Sequence, residues 1–295
     1  MSSLASMLAR AAALAITLAL AAPAAAQAAT PPPRQFYVSL GDSYASGFQP
    51  GRGNTRNGFA YQVPGLAAAR GYRLTLVNFG CGGATTSSIL HRVGCRPAAL
   101  GPGGVRYPTA TQAVAAERFL RAHRGHVALI TVSIGGNDVT PCFRAPDPSA
   151  CGSAAVAQIK RDVGVLARGL RRAAGRDVRI VGTTYPDVAL GLYLTDQNGQ
   201  NLAKLSVVGF KSLFNPALKS AYATAQGRLV DVTAATGAYG SFNQTTNLPP
   251  YGVIPVPVAR VCQLTYFCAL RDIHARTNGY RVIARLVAQT LPWRQ

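Results

Sequence analysis

The feature that most constrains this chain is a regular alternation along its length. Five short apolar runs occur at 36–40, 74–79, 127–134, 178–183 and 229–232. The first three end on glycine: Gly41, Gly80 and the pair Gly135-Gly136. Runs rich in Val and Ile, bounded by Gly, read as strands buried on both faces of a parallel sheet. Between them lie helix-like segments near 58–70, 110–123, 154–174 and 201–225, and another at 277–290 follows. Repeated βαβ units give a right-handed, doubly wound sheet covered by helices. The expectation is one α/β domain: a three-layer α/β/α sandwich around a central parallel five-stranded sheet. Ligands of such sheets bind beyond the carboxyl ends of the strands.

The 295 residues fit one α/β domain or two smaller ones. A hydrophobic share of 48% is too high for a disordered chain. No repeat of solenoid or propeller length is visible. Met1 to Ala28 has one charge, Arg10, then an Ala/Leu-rich stretch from Ala11 to Ala22, then Ala26-Gln27-Ala28. That is the layout of a secretory signal peptide, short for a spanning helix, with an uncleaved anchor as the alternative. Thr30-Pro31-Pro32-Pro33 reads as a stiff linker. The expected organisation is a signal peptide at 1–28, a linker at 29–35 and the folded domain at 36–295.

Export changes how the six cysteines read. An even count in an oxidising compartment suggests three disulfides among Cys81, Cys95, Cys142, Cys151, Cys262 and Cys268. Sequence alone does not choose among the pairings; neighbours in sequence, 81–95, 142–151 and 262–268, are the simplest. Zinc is disfavoured, since no CxxC occurs and no His stands at ligand spacing. No other metal or cofactor is expected. The formal charge is +20, and 26 of the 30 basic residues are Arg, scattered along the chain. Such a field favours anionic partners such as acidic lipid head groups. The plainer reading is a solvated basic surface. Nucleic-acid binding lacks a basic run or an aromatic platform.

The strand ends hold the chemistry. The first run leads into Gly41-Asp42-Ser43-Tyr44. A Ser there is placed as a nucleophile but needs a base; taken alone, an N-cap Ser is the simpler reading. The second leads into Cys81-Gly82-Gly83-Ala84-Thr85-Thr86, where glycines let a backbone N–H approach a ligand. The third leads into Gly135-Gly136-Asn137-Asp138, and a side-chain amide there can donate to a developing oxyanion. Asp272-Ile273-His274 precedes the last helix, and His is the usual general base near neutral pH. No Walker sequence and no dinucleotide fingerprint occur.

Taken in this order, the four blocks resemble those of the SGNH, or GDSL-type, hydrolases, particularly secreted actinobacterial esterases and lipases. The resemblance spans residues 36 to 290. It implies a flavodoxin-like fold and hydrolysis of carboxylic esters. It casts Ser43 as nucleophile, His274 as base, and the Ser43 and Gly83 backbone N–H groups with the Asn137 side chain as oxyanion hole. The G-x-S-x-G elbow of the commoner lipase fold is absent around Ser43. One departure matters. The family's last block is Asp-x-x-His, whereas here Arg271 holds the acid's place and Asp272 stands two before His274. Either Asp272 completes a triad, or the Arg271 carbonyl orients the ring and a Ser–His dyad works. Alternation of side chains along an extended backbone favours the dyad. A phospholipase or sugar-acetyl esterase on the same site, and a non-catalytic polyanion binder, are the alternatives. The loop from Thr236 to Phe267 is expected to shape or lid the pocket.

Overall fold

The computed structural model describes residues 32–294, so the expected signal peptide lies outside the described residues. Five strands form the central sheet: β1 (Arg34–Gly41), β2 (Arg73–Asn78), β3 (Val127–Ser133), β4 (Arg179–Thr183) and β5 (Arg228–Val230). Their spatial order is β2-β1-β3-β4-β5, and every pairing is parallel. The order reverses at β1, and a crevice opens beyond the carboxyl ends of β1 and β3. Ser39 on β1 pairs with Asn78 on one side and Thr131 on the other. Both loops that follow β1 and β3 therefore emerge at one level.

The helices are α1 (Phe59–Ala68), α2 (Gln112–Ala122), α3 (Pro148–Ala174), α4 (Gln197–Gly209), α5 (Asn215–Ala223), α6 (Val256–Leu264) and α7 (Thr277–Gln289). A π turn at Phe210–Phe214 joins α4 to α5 without a break. On one side of the sheet α1 packs on α7; on the other α3 packs on α2 and α5. The core between these layers holds Leu40, Leu129, Ile130, Val132, Ile180 and Val181, all essentially excluded from water. Strands covered on both faces explain why the runs are continuously apolar rather than alternating.

Two helices start earlier than the apolar pattern suggests, for a local reason. Asp147 accepts a hydrogen bond from the Ala150 N–H at 2.9 Å, with Pro148 in the first turn, so α3 begins six residues ahead of 154. Asp196 caps α4 in the same way through the Gly199 N–H at 2.8 Å. The segment from Thr236 to Phe267 is not a bare loop. It contains an antiparallel pair, Thr245–Asn247 with Val253–Pro255, and then α6. Ile254, Val258 and Val261 pack with Leu190 into a second small core. Strands of three residues are too short for a period of two to be visible. The disulfides are Cys81–Cys95, Cys142–Cys151 and Cys262–Cys268.

Candidate active site

The β1–Ser43 junction is held from several sides. Gly41 has φ +135°, and a side chain there would collide with the Ser133 carbonyl, so only glycine fits. The Gln112 amide grips Gly41 twice, accepting from its N–H at 2.7 Å and donating to its carbonyl at 3.1 Å. The Asp42 N–H donates to the Ser133 carbonyl at 3.0 Å, which ties the junction to β3. One helical turn, Ser43–Ser46, follows, capped by Asp42 through the Tyr44 N–H at 2.9 Å. The other Asp42 oxygen accepts from the Tyr185 hydroxyl at 2.6 Å. Burial pushes the Asp42 carboxyl up to about 7, against the pull of that hydrogen bond.

His274 comes from the opposite end of the chain. The Ile273 carbonyl accepts from the Tyr44 hydroxyl at 2.7 Å, and the His274 carbonyl accepts from the Tyr266 N–H at 3.0 Å. The Phe48 ring lies 4.5 Å from the imidazole, centre to centre. So anchored, His274 Nε2 stands 2.7 Å from Ser43 Oγ. Nδ1 stands 2.7 Å from Asp272 Oδ1, which also accepts from the His274 N–H at 2.9 Å. A carboxylate can only accept, so Nδ1 holds the proton and Nε2 presents its lone pair to the Ser43 hydroxyl. Burial lowers the His274 pKa from its usual value, and the nearby Asp272 charge opposes the shift. Burial thus favours the neutral ring, in which the contact with Asp272 is a hydrogen bond to a carboxylate rather than an ion pair.

The backbone ahead of His274 is not extended, as the Ser–His dyad would require. Arg271 sits at φ +54° as the cap of the short helix Phe267–Leu270, and the chain turns sharply there. An Asx turn then folds the Asp272 carboxylate back onto its own i+2 residue. Among the described residues no hydrogen bond joins the Arg271 carbonyl to the ring.

The two glycine loops meet beside Ser43. Asn137 Nδ2 donates to the Ala84 carbonyl at 2.9 Å, and Asp138 accepts from the Thr86 N–H and hydroxyl at 3.0 and 2.7 Å. Among the described residues the second N–H of the Asn137 amide has no protein partner. Gly83 has φ +80°, and a Cβ there would meet open space. Among the described residues neither the Gly83 nor the Ser43 N–H donates to a protein partner. The Cys81 N–H donates to the Gly41 carbonyl at 3.0 Å, joining this loop to the one that holds Ser43. The structure thus brings Ser43, His274 and Asp272 into one hydrogen-bonded line and ties the Gly83 and Asn137 loops together beside them. Reasoning from sequence missed Gln112 and Phe48, whose partners lie 71 and 226 residues away along the chain. No local motif marks such contacts.

The family model for GDSL-like lipases and acylhydrolases matches residues 39–282. The chain belongs to that family. It is an ester hydrolase, as family membership implies. No curated protein matches the sequence significantly. Among solved structures, this GDSL hydrolase is similar to an extracellular lipase from Streptomyces rimosus, at 17% identity and a TM-score of 0.47, over 87% of this chain and 99% of that one. It is also similar to a phospholipase A1 from Streptomyces albidoflavus, at 18% identity and 0.46, over 87% and 98%. An aryl esterase of M. smegmatis is a third, at 13% and 0.43, over 87% and 97%.

Proposed function

We propose that this GDSL hydrolase cleaves carboxylic esters through an acyl-enzyme on Ser43, with Asp272 and His274 completing a triad. The observation that carries this reading is the line of two 2.7 Å contacts, Ser43 Oγ to Nε2 and Nδ1 to Asp272 Oδ1. A neutral imidazole accepts the Ser43 proton as Oγ bonds to the ester carbonyl carbon. Asp272 holds the tautomer and stabilises the imidazolium that results. The Ser43 and Gly83 N–H groups and the free Asn137 N–H receive the charge on the former carbonyl oxygen. The imidazolium returns its proton to the leaving alcohol. Water then repeats the cycle on the acyl-enzyme and releases the acid. No metal is needed for any of these steps.

We read the protein as exported. Three disulfides suit an oxidising compartment, and residues 1–28 have the layout of a signal peptide. The test is turnover of a p-nitrophenyl ester series, from short to long acyl chains, by the mature protein and by Ser43→Ala. Turnover that vanishes in the variant is expected. Turnover retained by a folded Ser43→Ala protein would remove Ser43 from the role.

A further inference from the structure

The four lysines are not scattered as the arginines are. Lys160 stands on α3, and Lys204, Lys211 and Lys219 stand on the continuous helical run from α4 to α5. No acidic residue occurs between Asp196 and Asp231, and the Asp196 carboxylate is occupied as the cap of α4. Lys204, Leu205, Val208 and Lys211 follow one another at i, i+1, i+4 and i+7, which is a single helix face. All four are exposed. Leu205 is 46% and Val208 57% exposed, and Leu213 adds another 47% just beyond. Of the nine large apolar side chains exposed among the described residues, these three share one ridge. Apolar and ammonium groups are therefore interleaved on one open face.

Behind the ridge runs an apolar groove of about 180 Å³, between α4 with its π turn and the start of α3. Val156, Phe210 and Phe214 line it. So does Val139, which belongs to the same short turn, Gly136–Val139, that carries Asn137. The groove thus shares that turn with the candidate active site.

We propose that this ridge, with the groove behind it, is the face by which the enzyme docks on an anionic phospholipid surface. The purpose of docking rests on the ester-hydrolase reading; the docking itself does not require turnover. Leu205, Val208 and Leu213 enter the boundary between head groups and acyl chains, and Lys204 and Lys211 extend their stems to reach the phosphates. Lysine favours lipid over a protein partner here. Protein interfaces are depleted in Lys and enriched in Arg, yet this Arg-rich chain places Lys on its apolar ridge. The overall positive charge adds steering toward an anionic surface.

The test is sedimentation of the Ser43→Ala protein, which spares the lipid, with vesicles of phosphatidylcholine alone or of equimolar phosphatidylcholine and phosphatidylglycerol. Binding to the anionic vesicles, weakened by salt, is expected, with little on phosphatidylcholine alone. Lys204→Gln with Lys211→Gln should weaken it by on the order of thirtyfold at low salt. Leu205→Ser with Val208→Ser should weaken it by about tenfold or more. With Ser43 present, both double variants should turn over a soluble short-chain p-nitrophenyl ester at the parent rate, which shows that the fold is intact. If both bind as the parent does, the scattered arginines are responsible and the ridge has no such role. Absence of parent binding to anionic vesicles overturns the proposal outright. Loss of soluble ester turnover in the parent would overturn the hydrolase reading instead and leave the binding result standing.

Discussion

Replacing Asp272 with Asn tests the triad at its least expected member. The carboxylate lies 2.7 Å from Nδ1, and the side chains of His274 and Asp272 are 13% and 26% exposed. A pair of charges about 4 Å apart at the edge of a protein attracts by about 4 kcal/mol at an effective dielectric of about 20. The imidazolium exists only after Ser43 gives up its proton, so this attraction lowers the barrier and leaves substrate binding alone. About 4 kcal/mol corresponds to a loss of about 10³ in kcat. Asn can also donate to Nδ1 and select the wrong tautomer, which takes the loss toward 10⁴. The expected outcome for Asp272→Asn is therefore a fall of about 10³–10⁴ in kcat on a soluble p-nitrophenyl ester, with KM little changed. A second readout is independent of magnitude. Asp272 raises the His274 pKa, so its removal should move the acid limb of kcat/KM to lower pH. A loss of less than about tenfold, with an unmoved acid limb, would refute the reasoning and return the orienting role to a backbone carbonyl.

Further expectations concern the rest of the site and the fold. Asn137→Ala should lower kcat by about 10²–10³ with a small effect on KM, measured on the same ester. Because burial holds the His274 pKa below its usual 6.5, kcat/KM of the wild-type enzyme should reach its plateau with a midpoint below 6.5. Tyr185→Phe removes the 2.6 Å hydrogen bond to buried Asp42 and should cost about 1–3 kcal/mol in denaturant unfolding. Asp187 is buried, accepts from the Ser206 hydroxyl at 2.8 Å, and has its carboxyl pushed up to about 7. The folded chain then holds a proton that the unfolded chain releases from about pH 4 upward, so stability falls as pH rises toward 7. Asp187→Asn should therefore show a smaller drop in Tm than wild type between about pH 5 and pH 8; an unchanged drop would show that Asp187 is ionised in the fold.

What the sequence makes legible follows from which interactions are local. The five strands are readable because each is buried on both faces and so continuously apolar, as Val127–Ser133 shows. Ser43, Gly83 and Asn137 stand out because each follows a strand end at a recognisable block, and His274 because its block precedes the last helix. The orientation of Asp272 is not legible, because it depends on Arg271 entering a left-handed turn that no glycine announces. The Gln112 clamp and the Tyr185 bond to Asp42 join residues far apart in sequence, and only the folded sheet brings them together. The hairpin at Thr245–Pro255 escapes notice because its strands are three residues long and rich in polar and Pro residues.

The central claim is that Ser43 is the nucleophile activated by His274. The most direct measurement is covalent labelling of the mature protein with a serine-reactive fluorophosphonate, followed by intact mass and peptide mapping. The account predicts one adduct, on Ser43, loss of ester turnover in step with labelling, and no adduct on Ser43→Ala or, at the same rate, on His274→Ala. An adduct on another serine that tracks the loss of turnover, with Ser43 unmodified, would contradict it.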